Sequence, residues 1–240
     1  MTFENSYEND ERADSYARIE FTGTYYLAFR DLPEIVRKHV KGKRAVDFGC
    51  GAGRSTRFLR ELGFDTVGID ISESMIQKAR ALDPDGDYRL VTNGDYDHVG
   101  VGSYDLVQSI FTFDNIPSAE LRATLLRGLK RLLSANGRMV LLDATPELYG
   151  KDWASFTTSH FPENQSPRTG DIVKTIIEGV GDSRPVEDIY WLDTDYRELF
   201  AAAGLRLVET YRPLARPEEP YEWINETTVA PWVIYVLQPE

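Results

Sequence analysis

The chain is poor in cysteine: Cys50 stands alone among 240 residues. An internal disulfide is therefore excluded, and no cysteine pair exists for a zinc site. Basic charge is also scarce. Lys and Arg total 27 against 39 Asp and Glu, a net charge of −12, and the densest basic stretch is the short run Lys41-Gly42-Lys43-Arg44. Affinity for phosphate backbones rests on clustered Lys and Arg, so a nucleic-acid partner is not expected. No apolar run reaches the roughly 18 residues of a membrane span. The stretch through Glu20 is acidic and lacks the apolar segment of a secretory signal, which predicts a cytoplasmic protein. Repeats and low-complexity tracts are missing as well. What remains is 42% hydrophobic and 12% aromatic, enough to bury a core in one large domain or in one domain with an inserted cap.

The most informative stretch is Ala45-Val46-Asp47-Phe48-Gly49-Cys50-Gly51-Ala52-Gly53-Arg54-Ser55. A short apolar strand runs into a glycine turn, and beyond Ser55 the apolar residues Phe58, Leu59 and Leu62 have helical spacing. Glycines permit positive φ and a close approach of ligand to backbone. The helix behind them offers unpaired N–H groups to an anionic group. A dinucleotide fingerprint requires G-x-G-x-x-G. Here the spacing is G-x-G-x-G, Arg54 follows Gly53, and Asp47 precedes the first glycine by two residues. Those departures disfavour a nicotinamide-dependent oxidoreductase.

The rest of the chain falls into order around this turn. Aromatics dense over residues 16–40 read as helical segments broken at Gly23 and Pro33. They would cover the sheet edge, close over a ligand as a lid, or both. Strands are expected at residues 66–70, 88–91, 104–110 and 138–142, with Asp143 at the tip of the last. Ser72 caps a helix with the stripe Met75, Ile76, Ala79 and Leu82, and Ser118 caps one with Leu121, Leu125, Leu129 and Leu132, ended by Asn136-Gly137. Such alternation predicts right-handed βαβ units and a parallel sheet. Residues 144–192 break the rhythm, and a stretch this long between core elements is functional more often than filler. A helix capped by Thr194 and stopped at Gly204, a strand at 205–210 and a last strand at 229–237 beginning around Pro231 complete the chain. The expected divisions are a lid (1–43), a ligand-binding core (44–143), a cap insertion (144–192) and a C-terminal helix with two strands (193–240). His39 and His98 read as surface residues.

The pattern D-x-G-x-G-x-G at Asp47, Gly49, Gly51 and Gly53 resembles the first motif of class I S-adenosylmethionine-dependent methyltransferases. The resemblance holds motif by motif over about residues 44–143 and by element order beyond. It implies an α/β, Rossmann-like, seven-stranded, mostly parallel sheet of order 3-2-1-4-5-7-6 with the last strand antiparallel, an N-terminal helical lid and an insertion after strand 5. It implies S-adenosylmethionine as cofactor and S-adenosyl-L-homocysteine as product. Asp47, Gly49, Cys50, Gly51, Gly53 and Ser55 would hold the methionine end. Asp70 would accept both ribose hydroxyls, with Ile71 and Met75 against adenine and ribose. In Gly94-Asp95-Tyr96 the carboxylate would take the adenine amino group and the next N–H a ring nitrogen, while the Phe111 backbone would contact the methionine part. The small-molecule branch with ubiquinone-type and antibiotic-tailoring enzymes is the most similar. Gly23-Thr24-Tyr25-Tyr26 through Arg30-Asp31-Leu32-Pro33, Trp153-Ala154-Ser155-Phe156 and residues 230–235 also resemble toxoflavin-type azapteridine N-methyltransferases, which adds Tyr25 and Arg30 to the cofactor set.

Departures matter too. Asp114-Asn115 stand where many relatives carry a histidine pair or an aromatic, which weakens any mechanism relying on a histidine base there. The Asn/Asp-Pro-Pro-Tyr motif of amino-group methylation on adenine in DNA or on glutamine is missing. Asp143 alone is no magnesium site, which needs several oxygen ligands, so no metal is expected. Methyl transfer from a sulfonium needs chiefly alignment and desolvation; a base is required only if the acceptor must lose a proton. His160 is the histidine to test in that role. Tyr7, Tyr16, Trp153, Phe161 and Trp191 would wall a flat acceptor, or serve as ordinary core. The expected reaction is N- or O-methylation of a small planar heteroaromatic or polar metabolite in natural-product biosynthesis. A non-catalytic S-adenosylmethionine sensor or scaffold is the competing class. Monomer and homodimer are not distinguished.

Overall fold

In the computed structural model, residues 21–92, 94–179 and 184–240 are described. The strands are β1 (Arg44–Phe48), β2 (Asp65–Asp70), β3 (Asp87–Leu90), β4 (Tyr104–Ile110), β5 (Leu133–Ala144), β6 (Asp152–Trp153), β7 (Phe156–Thr157), β8 (Ile172–Ile177), β9 (Val186–Ile189), β10 (Leu205–Tyr211) and β11 (Trp232–Pro239). The helices are α1 (Thr24–Arg30), α2 (Leu32–His39), α3 (Arg54–Glu61), α4 (Glu73–Leu82), α5 (Asp97–Gly100), α6 (Ala119–Leu132) and α7 (Asp193–Ala202). Seven strands form one sheet in the order β3-β2-β1-β4-β5-β11-β10. Val46 pairs with Val67 on one side and Val107 on the other, all parallel, while β11 runs antiparallel to both β5 and β10. This is the expected order.

Strands β1 and β4 read as nearly unbroken apolar runs because both faces are covered. On one face α6 and α7 bury Leu125, Leu126, Leu129, Leu199 and Phe200 against Val46, Val107 and Leu141. On the other, α1 and α2 bury Leu27, Leu32 and Ile35 against Ala45, Leu106 and Val140. The described aromatics Tyr25 and Phe29 of α1 join the same cluster and thus cover a sheet face rather than an edge. Strand order reverses between β1 and β4, and that reversal opens a crevice at the carboxyl ends of the strands, where α/β sheets bind ligands.

The insertion holds structure that its sequence hardly signals. Strands β6, β7, β8 and β9 form a second, antiparallel sheet. Two of its strands are two residues long, too short for a period to register. Buried Asn164 pins it: its Nδ2 donates to the Thr158 and Lys174 carbonyls, each at 2.7 Å, and its Oδ1 accepts from the Lys174 N–H at 3.0 Å.

Several boundaries differ from expectation. Helix α6 stops at Leu132 and β5 starts at once, so Asn136-Gly137 lie inside a strand. The β4–β5 register slips there, and a Cβ on Gly137 would come 2.8 Å from the Tyr104 carbonyl oxygen. Helix α7 begins at Asp193, with the Asp195 carboxylate accepting from the Leu192 N–H at 3.3 Å, so Thr194 is not its cap. The last strand starts at Trp232; Pro231 sits just before it and its carbonyl accepts from the Thr145 N–H at 2.9 Å. His39 is not a surface residue: its Nε2 lies 2.8 Å from the Tyr211 hydroxyl and 3.1 Å from Glu209.

Candidate active site

The glycine turn is held open by conformation and by crowding. Gly49 and Gly53 have φ of 69° and 84°, the left-handed region that favours glycine. A Cβ on Gly49 would lie 2.3 Å from Thr112 Oγ1, and one on Gly53 2.6 Å from the Tyr88 hydroxyl. Behind the turn, Asp47 is fully buried. Its Oδ2 accepts from the Ser55 and Thr56 hydroxyls at 2.6 and 2.7 Å, fastening the first turn of α3 to β1. Burial pushes its carboxyl up to about 6 despite those donors.

Asp70 ends β2 at the crevice. Its Oδ2 accepts from the Gly51 N–H at 2.9 Å and its Oδ1 from the Ser72 N–H at 2.8 Å. Burial raises its carboxyl too, against those backbone donors. An ionised carboxylate has about four acceptor sites, so with the Ser72, Gly51 and Ile71 N–H groups on it, capacity remains for a ligand hydroxyl.

A cavity of about 1140 Å³, part of it open to solvent, lies along this edge. Gly49, Cys50, Gly51, Ser55, Asp70, Ile71, Met75 and Phe111 line it, together with Leu121 and Leu125. Its contents are a paired acid, flexible turn N–H groups and apolar side chains, a donor and acceptor set that fits a nucleoside carrying an amino-acid tail. Phe111 itself has φ of 54°, the one non-glycine positive φ among the described residues. Strain of this kind clusters at ligand sites. Arg54, on the same wall, lies 5.5–5.7 Å from the rings of Phe21, Tyr25 and Phe29, which ties the N-terminal helices to the turn.

Other expected cofactor residues lie elsewhere. Asp47 and Gly53 stand behind the wall. Gly94, Asp95 and Tyr96 line neither cavity: Asp95 is exposed, and Tyr96 is buried core with its ring 5.7 Å from Phe48. Arg30 is clamped by Asp31 and Glu219, both at 2.7 Å. Tyr25 lines a second cavity, not the first.

That second cavity, of about 450 Å³, meets the first at Phe111 and Asn115, which line both. Tyr25, Phe111, Phe156 and Trp232 form its aromatic side, with Tyr25 stacked on Trp232 at 5.7 Å and Phe111 at 4.7 Å from Trp232. Asp114, Thr175 and Asp188 supply polar groups. Burial pushes the Asp114 carboxyl up to about 6, opposed by the charge of Arg122 and a hydrogen bond from Asn115. Sequence reasoning marked Asp114-Asn115 only as a departure and overlooked Phe156, Asp188 and Trp232 as site residues, since two of these sit on short strands of the cap.

The expected acceptor wall is placed differently. Trp153 is buried behind Phe156, its indole N–H donating to the Leu148 carbonyl at 2.9 Å. Trp191 packs under the Arg122 guanidinium at 4.3 Å. Phe161 is half-buried and His160 exposed, and both lie outside the two cavities. Tyr7 and Tyr16 fall outside the described residues. Among the described residues no group of three acidic, histidine or cysteine side chains is placed to hold a metal ion, and no helix is long and apolar enough to cross a membrane.

A Rossmann-like sheet with a nucleoside-sized crevice at its switch point, an acid after β2 and no pyrophosphate fingerprint defines the class of S-adenosylmethionine-dependent methyltransferases. The chain belongs to the methyltransferase-domain family, whose model matches residues 19–210. It is 25% identical over 222 residues to N-demethylindolmycin N-methyltransferase of Streptomyces griseus, covering 89% of this chain and 93% of that one. It is 24% identical over 209 residues to a ubiquinone biosynthesis O-methyltransferase of Xanthomonas oryzae pv. oryzae, covering 85% and 79%. Among solved structures, the CcbJ methyltransferase of Streptomyces caelestis shares the fold with a TM-score of 0.66 at 20% identity, covering 97% of each chain. An S-adenosylmethionine-dependent methyltransferase of Clostridium acetobutylicum does so with a TM-score of 0.62 at 11% identity, covering 93% and 94%. The protein is a methyltransferase of the small-molecule type, and S-adenosylmethionine is its cofactor.

Proposed function

We propose that the enzyme methylates a nitrogen or oxygen of a small, planar heteroaromatic acceptor bound in the second cavity, in the manner of natural-product tailoring. The observation that carries this reading is the junction of the two cavities at Phe111 and Asn115, with flat rings on the acceptor side. The second cavity's lining of flat rings around a confined space suits a small planar group. When bound, S-adenosylmethionine supplies an electrophilic methyl group on sulfur. The chain's own part is to seat the cofactor on Asp70 and the glycine turn, to align the acceptor among Tyr25, Phe156 and Trp232, and to exclude water with the cap. The relative from Streptomyces griseus, an N-methyltransferase by name, supports a nitrogen acceptor.

Calorimetric titration with S-adenosylmethionine, S-adenosylhomocysteine and NAD tests the cofactor side. Micromolar binding of the first two is expected, weakened at least tenfold by Asp70→Ala, since each hydrogen bond to a charged acceptor contributes about 1.5–3 kcal/mol. A panel of fused-ring nitrogen heteroaromatics, azapteridines among them, then tests the acceptor by release of S-adenosylhomocysteine. Turnover confined to large or macromolecular acceptors would overturn the reading.

A further inference from the structure

Two hydrogen-bond donors on the wall of the second cavity are spent on the protein itself, and two are not. The Trp232 indole N–H goes to the Thr24 carbonyl at 2.8 Å. The Asn115 amide Nδ2 goes to Asp114 Oδ1 at 2.8 Å and to the Phe111 carbonyl at 3.4 Å. Tyr149 and Thr175 line the same cavity, and their hydroxyls make no hydrogen bond among the described residues. Both residues are more than nine-tenths buried, at 8% exposure each. Neither oxygen is among the wholly buried polar atoms without a partner, such as the Tyr96 hydroxyl, so each keeps surface that a ligand can reach. Thr175 lies on β8 opposite Val186 of β9, and the Tyr149 ring packs 5.8 Å from Tyr190, just beyond β9. Both therefore belong to the cap side, whereas Phe111 and Asn115, which line both cavities, belong to the turn after β4. Phenylalanine and valine have nearly the same shapes without the oxygen, and burying a hydroxyl with no partner costs stability. The fold itself makes no use of these two hydroxyls.

We propose that Tyr149 and Thr175 determine acceptor specificity: their hydroxyls donate to a carbonyl oxygen on the acceptor's ring, seating that end against the cap and turning the opposite edge toward Phe111, Asn115 and the cofactor cavity. This rests on the acceptor reading above. A carbonyl oxygen has two lone pairs and takes both hydroxyls, whereas a ring nitrogen takes one. Burial pushes the Tyr149 phenol well above its usual range, so at neutral pH it keeps its proton and donates. Asp114 lines the same cavity, but its carboxyl, pushed up to about 6, is mainly ionised at neutral pH and then only accepts. That leaves the two hydroxyls as donors to a carbonyl. A conjugated carbonyl lies in the plane of its ring, so bonding at that edge leaves both faces to Tyr25, Phe156 and Trp232. An acceptor without the carbonyl would leave both hydroxyls unpaired, which is how such sites discriminate.

Two probes of similar shape, 1-indanone with a ring carbonyl and indane without one, test this by calorimetry on the full chain saturated with S-adenosylhomocysteine. Tyr149→Phe and Thr175→Val should each weaken 1-indanone about fivefold, the worth of one hydrogen bond, and leave indane unchanged. Both variants should melt at the wild-type temperature, because neither hydroxyl bonds to the protein. In the wild-type chain alone, the carbonyl stretch of bound 1-indanone should fall below its value in cyclohexane and return toward that value in Tyr149→Phe. Equal effects of the variants on the two probes, or none on either, would overturn the proposal and leave the acceptor cavity standing. A lower melting temperature or failure to fold would show that the hydroxyls serve the fold, and a carbonyl stretch at the cyclohexane value would show that no donor reaches the oxygen; each overturns it. Binding of neither probe would remove the acceptor reading and this proposal with it. S-adenosylhomocysteine binding, measured first in the same cell, separates these outcomes from a failure of the cofactor site.

Discussion

Two tryptophans show how much a side chain's surroundings decide. Trp153 and Trp232 are both buried, at 1% and 4% exposure, but Trp232 lines the second cavity and Trp153 does not. The Trp153 indole N–H is spent on the Leu148 carbonyl, and its ring backs Phe156. Truncation there removes core volume, so Trp153→Ala should cost about 3–5 kcal/mol of stability. The check is a shift of the urea midpoint, with S-adenosylmethionine affinity of the folded variant unchanged. A variant with wild-type stability would show that the ring is not packed as described.

Among the elements, α1, the cap and the loop before β11 converge on one carboxylate. Glu226 is wholly buried. Its Oε1 accepts from the Thr24 hydroxyl at 2.6 Å and the Ala154 N–H at 2.7 Å, and its Oε2 from the Ile224 and Asn225 N–H groups at 2.8 and 3.0 Å. Every bond needs an acceptor. Glu226→Gln turns one oxygen into an NH₂ group facing donors and should cost about 3 kcal/mol. Hydrogen exchange is the discriminating measurement. Faster exchange in α1 and across β6 and β7 is expected, while β1 and β4 keep their protection. Uniform loss across the sheet would mean that the clasp is not local.

At the level of the entire fold, buried carboxyls govern the response to pH. Asp47 ionises near 6 in the folded chain and near 3.9 in the unfolded one. Its carboxyl therefore contributes stability that is full below about pH 4 and is lost as pH rises through 6. The shift corresponds to roughly 3 kcal/mol. Asp114 moves in the same direction. Ion-paired Asp83 and Glu209 have lowered values and act oppositely, but only under more acidic conditions. The melting temperature should thus be higher at pH 5.5 than at 7.5, and Asp47→Asn, which removes the charge, should flatten that slope. A slope of opposite sign would show that His39, whose imidazole burial holds towards its neutral form, outweighs the buried carboxyls.

Local chemistry made the sheet legible before any coordinates. Apolar runs of strand length, Ser72 and Ser118 at helix starts, and glycines where φ must be positive act over a few residues, so they survive in the linear chain. The turn from Asp47 to Ser55 and Asp70 after β2 were legible for the same reason, because a ligand that meets backbone N–H groups needs a short contiguous motif. The acceptor side was not. Phe156, Asp188 and Trp232 come from three distant segments, two of them on cap strands too short to carry a period, and they share a wall only once β11 has paired with β5 and the cap has closed over Phe111. Whether an aromatic is wall or core depends on what packs against its other face, a relation between segments that spacing along one chain does not encode.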